Sequence, residues 1–373
     1  MCHAPLEKTK GVILSGNHPW NRSTFDRLLP RPLLPIAHRP LISYALSWLQ
    51  QGRLRAVEVC ANRETRALQA HLVRHVPKGM SLQYREDPMP RGPAGCVYDS
   101  ASGSDAKTFV VAEGTAIPTV ELEKLLLNHC ASGAAVTVVV HTETPQNQKT
   151  SLQVPSGIYV FERRAIDLIP RHGFFDIKEN LIPLLSRSGE NVAIYSVAGA
   201  SPRVLDALTY LAVNGWMVDQ LAQVRERRDG YAEYGHLVHN RALIAEDAVL
   251  VGPVLIGPGV RVMSGATIVG PTSIGADAIV ERGSLVARSA VWRRSVVGQE
   301  AVVDRCILAD DAVVDPKTQL FGAVKAGNRE RWSEWIRAAR IPLGFPDLLP
   351  GALDRGPGRV LSARGFGSRG ATS

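Results

Sequence analysis

His71 and His75 stand four residues apart in His71-Leu-Val-Arg-His75. On a helix that spacing sets two imidazoles on one face, as in a two-ligand metal site. No glutamate follows the first histidine and no third ligand is evident, so the expectation is a surface helix. Asp176 and Glu179, in Phe174-Phe-Asp-Ile-Lys-Glu-Asn180, have the spacing of a capping box at a helix start. Five cysteines, Cys2, Cys60, Cys96, Cys130 and Cys306, form no CxxC pair. Neither a cysteine zinc site nor a disulfide framework is expected from them, and the set fits a reducing cytoplasm.

The elements that must hold such residues come in two kinds. In the first half, short apolar runs alternate with helical patterns. Gly11–Ser15, Ala56–Cys60, Phe109–Ala112, Ala135–His141 and Gly157–Phe161 read as strands. Leu41, Tyr44, Ala45, Trp48 and Leu49 fall on one helix face, and Arg63–His75 and Val120–Cys130 read as further helices. This alternation predicts an α/β fold, a mostly parallel sheet covered by helices on both faces. A long helix, about Leu205–Val224, is expected to close the unit before the charged turn Arg225–Gly230.

The period then changes to six. Ile244, Leu250, Ile256, Val262, Ile268, Ile274, Val280 and Val286 follow one another six residues apart. Four residues after each stands a small or β-branched residue: Ala248, Val254, Val260, Ala266, Thr272, Ala278, Ser284, Ala290. After a one-residue slip placed at Trp292, the series resumes at Val291, Val297 and Val303, slips again, and continues through Leu308, Val314 and Leu320. This is the signature of a parallel β-helix, with the aliphatic inside the prism and the small residue at its corner. Glu330, Trp332, Trp335 and Ile336 predict a short amphipathic helix capping the prism end. From Gly351 onward, six glycines and four arginines in 23 residues predict a disordered basic tail. The expected boundaries are 10–224 for the α/β domain, 236–325 for the β-helix, 326–345 for the cap and 346–373 for the tail.

An α/β domain followed by a hexapeptide prism resembles the sugar-1-phosphate nucleotidyltransferases, or NDP-sugar pyrophosphorylases, of the mannose-1-phosphate guanylyltransferase kind. The likeness runs over about residues 10–325. It is carried by Gly11-Val-Ile-Leu-Ser-Gly16, Pro30-Arg-Pro-Leu-Leu-Pro-Ile36, Pro40-Leu-Ile42, Gly92-Pro-Ala-Gly95, Ser156-Gly-Ile-Tyr-Val-Phe161 and Tyr210-Leu-Ala-Val-Asn214. The resemblance implies a Rossmann-like nucleotidyltransferase domain and a left-handed β-helix. It also implies a reaction: a sugar phosphate oxygen attacks the α-phosphorus of a nucleoside triphosphate, and pyrophosphate leaves. Such an enzyme must hold two anions together and neutralise the leaving group. The family does this with a glycine-rich loop, an arginine, a lysine between prolines, and two acidic residues on Mg²⁺.

By that likeness, Leu14, Ser15, Gly16, Gly92 and Gly95 are the expected nucleotide-binding positions. Arg31, in the place of the lysine, is the expected catalytic cation. Gly157 and Asp176 are the expected substrate contacts. Yet the family's loop has lost all glycines but Gly16. Pro19 offers no N–H, and Asn21 stands where the arginine belongs, with Arg22 beside it. Thr115 replaces the metal-binding aspartate; Glu113 precedes the glycine, and Asp206 is the loose match for the second carboxylate. About fifteen residues, Thr142–Ser156, stand in for the longer sugar-binding excursion, with Lys149 its sole basic residue. The loop reads either as a modified phosphate cradle or as a relic turn, and Gly92 and Gly95 either as nucleotide contacts or as fold requirements.

Removing one charge-stabilising donor from an active site costs about 3–4 kcal/mol. Several losses favour a catalytically impaired member that binds nucleotide or sugar nucleotide as a regulatory or scaffold subunit. The alternative is an active NDP-sugar pyrophosphorylase in glycan precursor synthesis. Mg²⁺ is expected only in the active case. Acyl transfer, known for similar prisms that use a histidine base, is disfavoured because no histidine follows His239. Net charge is 43 − 35 = +8. Residues 324–373 hold nine Lys/Arg against four Asp/Glu, so most of the excess sits in this last segment. No nucleic acid or membrane partner is expected. A homo-oligomer, or a hetero-oligomer with an active paralogue, is.

Overall fold

A computed structural model of the chain describes residues 6–16, 23–61, 65–72, 75–86, 91–143, 152–199, 201–223, 231–233 and 236–328. The loop residues Asn17–Arg22, Lys149 and its neighbours, the turn Arg225–Gly230, the helix expected at 330–336 and the basic tail lie outside them. Two compact units divide at Asp206/Ala207.

The first unit is built on a seven-stranded sheet. Its strands are β1 (Thr9–Leu14), β2 (Ala56–Ala61), β3 (Ser81–Glu86), β4 (Thr108–Glu113), β5 (Val136–Glu143), β6 (Leu152–Glu162) and β7 (Val192–Ala198). Their spatial order is β3-β2-β1-β4-β6-β5-β7. Every pair is parallel except those made by β6, which runs against β4 and β5. The strands are apolar on both sides because both sides are covered. One core sets Ile13, Val57, Val59 and Val110 against helices α1 (Ile42–Gln51), α2 (Thr65–Leu72) and α4 (Leu122–Ser132). The other sets Val12, Phe109, Val111 and Tyr159 against α3 (Gly92–Ala101), α5 (Arg163–Ile166) and α6 (Ile182–Arg187). The expected α/β architecture is present, with elements the pattern had not marked, among them β3, β7 and α3. Helix α2 ends at Leu72, so His75 follows it instead of sharing its face, and both His71 and His75 are exposed.

The second unit begins with helix α7 (Ala207–Gln223) and continues as the prism. Sequence spacing gave this helix to the first unit; its packing is on the prism. Trp292 donates its indole N–H to the Tyr210 hydroxyl at 2.8 Å, and Asn214 donates to Ser273 Oγ at 2.9 Å. The prism's coil strands pair in parallel in three sheets, consistent with a left-handed β-helix. Val262, Ile268, Ile274, Val280, Val286, Val291, Val297, Val303, Leu308 and Val314 fill its interior, in the predicted phase. The slip lies earlier than Trp292. Ile268 pairs with Val286, eighteen residues on, but Ile274 pairs with Val291, seventeen on. The shortened corner is therefore Arg288–Ser289. The prism is also not free of histidine. Leu237–His239 pairs with Val254–Ile256 and so belongs to the first coil. His239 Nδ1 accepts from the Arg241 N–H at 3.1 Å, so it caps its own turn.

The prism corners need left-handed backbone. Early coils use Gly252, Gly259 and Gly265 there; later coils keep Gly283 and Gly322 but also use Asp277, Arg288, Arg294, Glu300, Arg305, Asp311 and Lys317, these seven with φ between 45° and 63°. A left-handed non-glycine residue costs about 1–2 kcal/mol. Stacked charge offsets it. Arg294 makes a bidentate pair with Asp311 one coil on, at 2.6 and 2.9 Å.

Cys60, Cys96 and Cys306 are free thiols. Cys130, on α4, is disulfide-bonded, contrary to the expectation from spacing. Among the described residues no helix is long and apolar enough to cross a membrane.

Candidate functional site

In parallel α/β sheets, ligands sit beyond the carboxyl ends of the strands. Here the ends of β1 and β4 are central and adjacent. The Leu14 carbonyl accepts the Gly114 N–H at 2.8 Å, and Ser15 N–H is tied to the Cys60 carbonyl at 2.8 Å. A side chain on Gly114 would meet Ser15 Oγ at 2.8 Å, so only glycine fits between the two strands. Ser15 Oγ is itself buried without a hydrogen-bond partner. Gly16, next along, is exposed.

The metal position is the decisive one. Thr115 follows β4, half-buried and neutral. Alongside it runs Pro202-Arg-Val204: Val204 N–H bonds the Thr115 carbonyl at 2.9 Å, and Arg203 bridges to Ala116. Arg203 donates through Nη2 to the Glu113 carboxylate and through Nη1 to the Pro155 carbonyl at 3.1 Å. Sequence spacing pointed to Asp206 as the second acidic group; Asp206 is exposed, and the side chain that faces the end of β4 is the guanidinium of Arg203. A hard dication requires carboxylate oxygens with net negative charge. Glu113 and Arg203 sum to zero and Thr115 adds none. Among the described residues there is no group of three or more potential metal ligands. These residues do not fit Mg²⁺.

The other expected residues are linked to this point by contact. Gly157, on β6, has φ +80°, and a side chain there would strike Glu113 at 2.8 Å. It is glycine so that Glu113 can lie across it and reach Arg203. Tyr159 is buried two residues on. Burial pushes its phenol far up, and Glu113 adds to this while Arg203 opposes it and Asp176 reinforces it. Asp176 caps the first turn of the next helix, accepting from Lys178 and Glu179 N–H at 2.6 and 2.9 Å. The reciprocal acceptor is Asn180, not Glu179: Asn180 Oδ1 takes the Asp176 N–H at 2.8 Å. The turn Ile177–Leu181 is π-helical, and its wider ring moves the reciprocal position by one residue.

Gly92 opens α3 at φ +76°. A side chain there would strike the Phe175 carbonyl at 2.6 Å. That carbonyl accepts the Ala94 N–H at 3.1 Å, so the segment before Asp176 crosses the helix N-terminus. Gly95 has a packing reason too: a side chain would meet Arg91 at 2.6 Å. Ser15, Thr115 and Gly157 are thus joined through Gly114 and Glu113, and Gly92 is joined to the segment before Asp176 through Phe175. Arg31 is held elsewhere. It pairs with Asp26 at 2.8 Å. Burial alone would raise the Asp26 carboxyl, but bonds from Arg31 and Ser23 hold it below its ordinary value. The charge expected on phosphate is already answered by a carboxylate.

Two features had no sequence signal. Glu58, on β2, is buried beneath α3 and bound by Lys10 and Arg85, each at 2.5 Å, and by Ser100 at 2.8 Å. In the second unit an open cavity of about 400 Å³ is lined by Asp219, Ala222, Gln223, His236, Gly252 and Pro253.

Residues 10–150 match the family described as nucleotidyl transferase. A mannose-1-phosphate guanylyltransferase of Mycobacterium tuberculosis is 25% identical over 307 residues, 73% of this chain and 82% of its own. A UTP–glucose-1-phosphate uridylyltransferase of Synechocystis sp. is 23% identical over 327 residues, 76% of this chain and 82% of its own. Among solved structures, HddC from Yersinia pseudotuberculosis complexed with GMP-PN covers 56% of this chain and 99% of its own, at TM-score 0.49 and 12% identity. Residues 10–150 thus resemble a nucleotidyl transferase domain, and the chain is similar at low identity to sugar-1-phosphate nucleotidyltransferases.

Proposed function

Starting from that similarity, we propose that the protein binds a nucleotide or sugar nucleotide at the carboxyl edge of the first sheet and works as a regulatory or scaffold subunit, not as an efficient synthase. The observation that carries this reading is the Arg203–Glu113 ion pair beside Thr115. Nucleotidyl transfer expels pyrophosphate, and its charge needs a metal or an equivalent clamp. Glu113, the carboxylate at the end of β4, is engaged by an internal cation, and Arg31 is engaged by Asp26. Substrate class follows the relatives, whose names specify guanylyl or uridylyl transfer to a sugar 1-phosphate. The partner is a second copy or an active homologue, met through the prism.

A second reading, an active pyrophosphorylase, is favoured by the intact β1-to-Gly16 edge. Pyrophosphate release from a panel of nucleoside triphosphates and sugar 1-phosphates, with Mg²⁺, separates the two. Turnover at or above about 1 s⁻¹, the ordinary enzyme range, establishes the second reading. Calorimetric binding without turnover supports the first.

A further inference from the structure

The mismatch at the metal position has a positive side. Arg203 is not a loose surface arginine. Its backbone is bridged to Ala116, the next residue's N–H is bonded to Thr115, and its guanidinium is held by Glu113 and the Pro155 carbonyl. Its side chain is 15% exposed. The anchors set the plane of the fork without using all its donors: Nε–H is buried with no acceptor. On the neighbouring strand end, Ser15 Oγ is likewise buried with no partner. Two orphan polar groups at the ends of β1 and β4 lie where an α/β sheet receives its ligand. A fixed, planar, permanently charged fork suits phosphate oxygens better than a flexible ammonium does.

We infer that Arg203 is the resident cation of this crevice, standing where homologous enzymes would hold a divalent metal, and that a diphosphate group binds there without Mg²⁺. The inference rests on the nucleotide-binding reading above and specifies its electrostatics. Glu113 orients the guanidinium, and Gly157 leaves room for Glu113 to do so. Arg203 brings guanidinium N–H donors to the place where a metal would stand, and because Glu113 answers its charge the strand end has nothing to attract a dication. A fixed guanidinium binds phosphate without the exchangeable coordination that a metal offers a leaving group. Retained binding with lost turnover is the expected result.

Two measurements on the full-length chain test this. The first uses Mn²⁺ alone, followed by electron paramagnetic resonance. The wild type is expected to leave the free-ion signal intact, while Arg203→Asp, which frees Glu113 and adds a second carboxylate, binds one ion. Stoichiometric Mn²⁺ binding by the wild type that Glu113→Gln abolishes would overturn the inference. The second uses pyrophosphate in EDTA, followed by calorimetry. Binding by the wild type, reduced at least tenfold in Arg203→Gln and less in Arg203→Lys, is expected for loss of a charge-assisted contact. The lysine variant retains charge and guards against a folding artefact. Equal affinity in wild type and Arg203→Gln, or binding only when Mg²⁺ is added, would also overturn it. Neither probe carries a base or sugar. Nucleotide that binds only with Mg²⁺ sinks this inference and leaves the nucleotide-binding reading intact; no nucleotide binding under any condition sinks that reading itself.

Discussion

The indole N–H of Trp292 and the hydroxyl of Tyr210 meet at 2.8 Å, with their rings edge to face and centroids 6.1 Å apart. Both residues are nearly or fully buried, and the bond pins helix α7 to the prism. Tyr210→Phe removes the acceptor of the buried Trp292 indole N–H, and Trp292→Phe takes one donor from the Tyr210 hydroxyl. We expect each to cost about 1–3 kcal/mol, and the double variant to cost clearly less than the sum. Denaturant midpoints of the four proteins measure this. Strict additivity would mean that the bond contributes nothing.

Gly157→Ala should destabilise the first unit twice over, through left-handed backbone and through collision with Glu113 at 2.8 Å. Gly103 has a similar φ of +84° and nothing within 4 Å, so Gly103→Ala reports the backbone part alone. The backbone part is about 1–2 kcal/mol. Gly157→Ala should exceed it, and the excess should shrink when the glycine change is made and measured in a Glu113→Ala background. Thermal melts that rank the two glycine variants equally would refute the collision.

Acid sensitivity should come from Glu58 and Glu162. Burial would raise both carboxyls. Lys10, Ser100 and Arg85 hold Glu58 below its ordinary 4.5, and His129 and Thr108 do the same for Glu162. A carboxyl depressed in the folded state binds fewer protons there than in the unfolded chain. Its stabilisation is therefore complete above the ordinary value and disappears as pH falls below 4.5 through the depressed folded value. Glu58→Gln should flatten the pH dependence in that window and cost about 1–3 kcal/mol at neutral pH. A stability profile unchanged in slope below pH 4.5 would contradict the assignment.

Restoring the phosphate loop should not restore synthesis by itself. Asn17→Gly, Pro19→Gly, Asn21→Arg and Thr115→Asp resupply the missing groups by sequence position. The Arg203–Glu113 pair still blocks the metal, so pyrophosphate release should rise only when Arg203→Asp is added, and then partially. Full rescue by the four changes alone would show that the guanidinium is no obstacle.

Association should depend on one outer face of the prism. Val251, Val269, Ala287, Asp304 and Phe321 stack coil on coil, and Val251 and Phe321 are exposed by about half, 49% and 59%. Val251→Lys with Phe321→Lys should lower the mass seen by light scattering and leave the melting temperature within a few degrees. A wild type already monomeric would end the oligomer proposal.

The prism was the most legible part of the chain, because its aliphatics point one way at a fixed step and nothing else competes with that pattern. The central strands of the first sheet were legible because both their sides are buried. β3 and β7 were not, for the opposite reason: they are the sheet's two edges, and Ser81-Leu-Gln-Tyr-Arg-Glu86 alternates half-exposed polar residues. Helix α3 hid behind Gly92 and Gly95, whose presence answers the approach of Phe175 and Arg91. The candidate site residues that the sequence marked lie mostly at strand ends and helix starts. Arg203 was not among them, since it sits in an irregular segment and its role comes from Glu113, ninety residues away.

That separation bears on synthesis as well. A ribosome adds roughly 5–20 residues per second. Glu113 therefore emerges and waits several seconds before Arg203 is made. During that time the carboxylate sits at the mouth of a growing sheet with no counter-charge, and water or a passing cation must screen it. The arrival of Pro202-Arg-Val204 along Thr115–Ile117 then does two things at once: it neutralises the carboxylate and fastens the end of β4. The last stretch of the first unit to be translated closes the site, so a chain stalled before residue 203 presents an open acidic edge that the finished protein never shows.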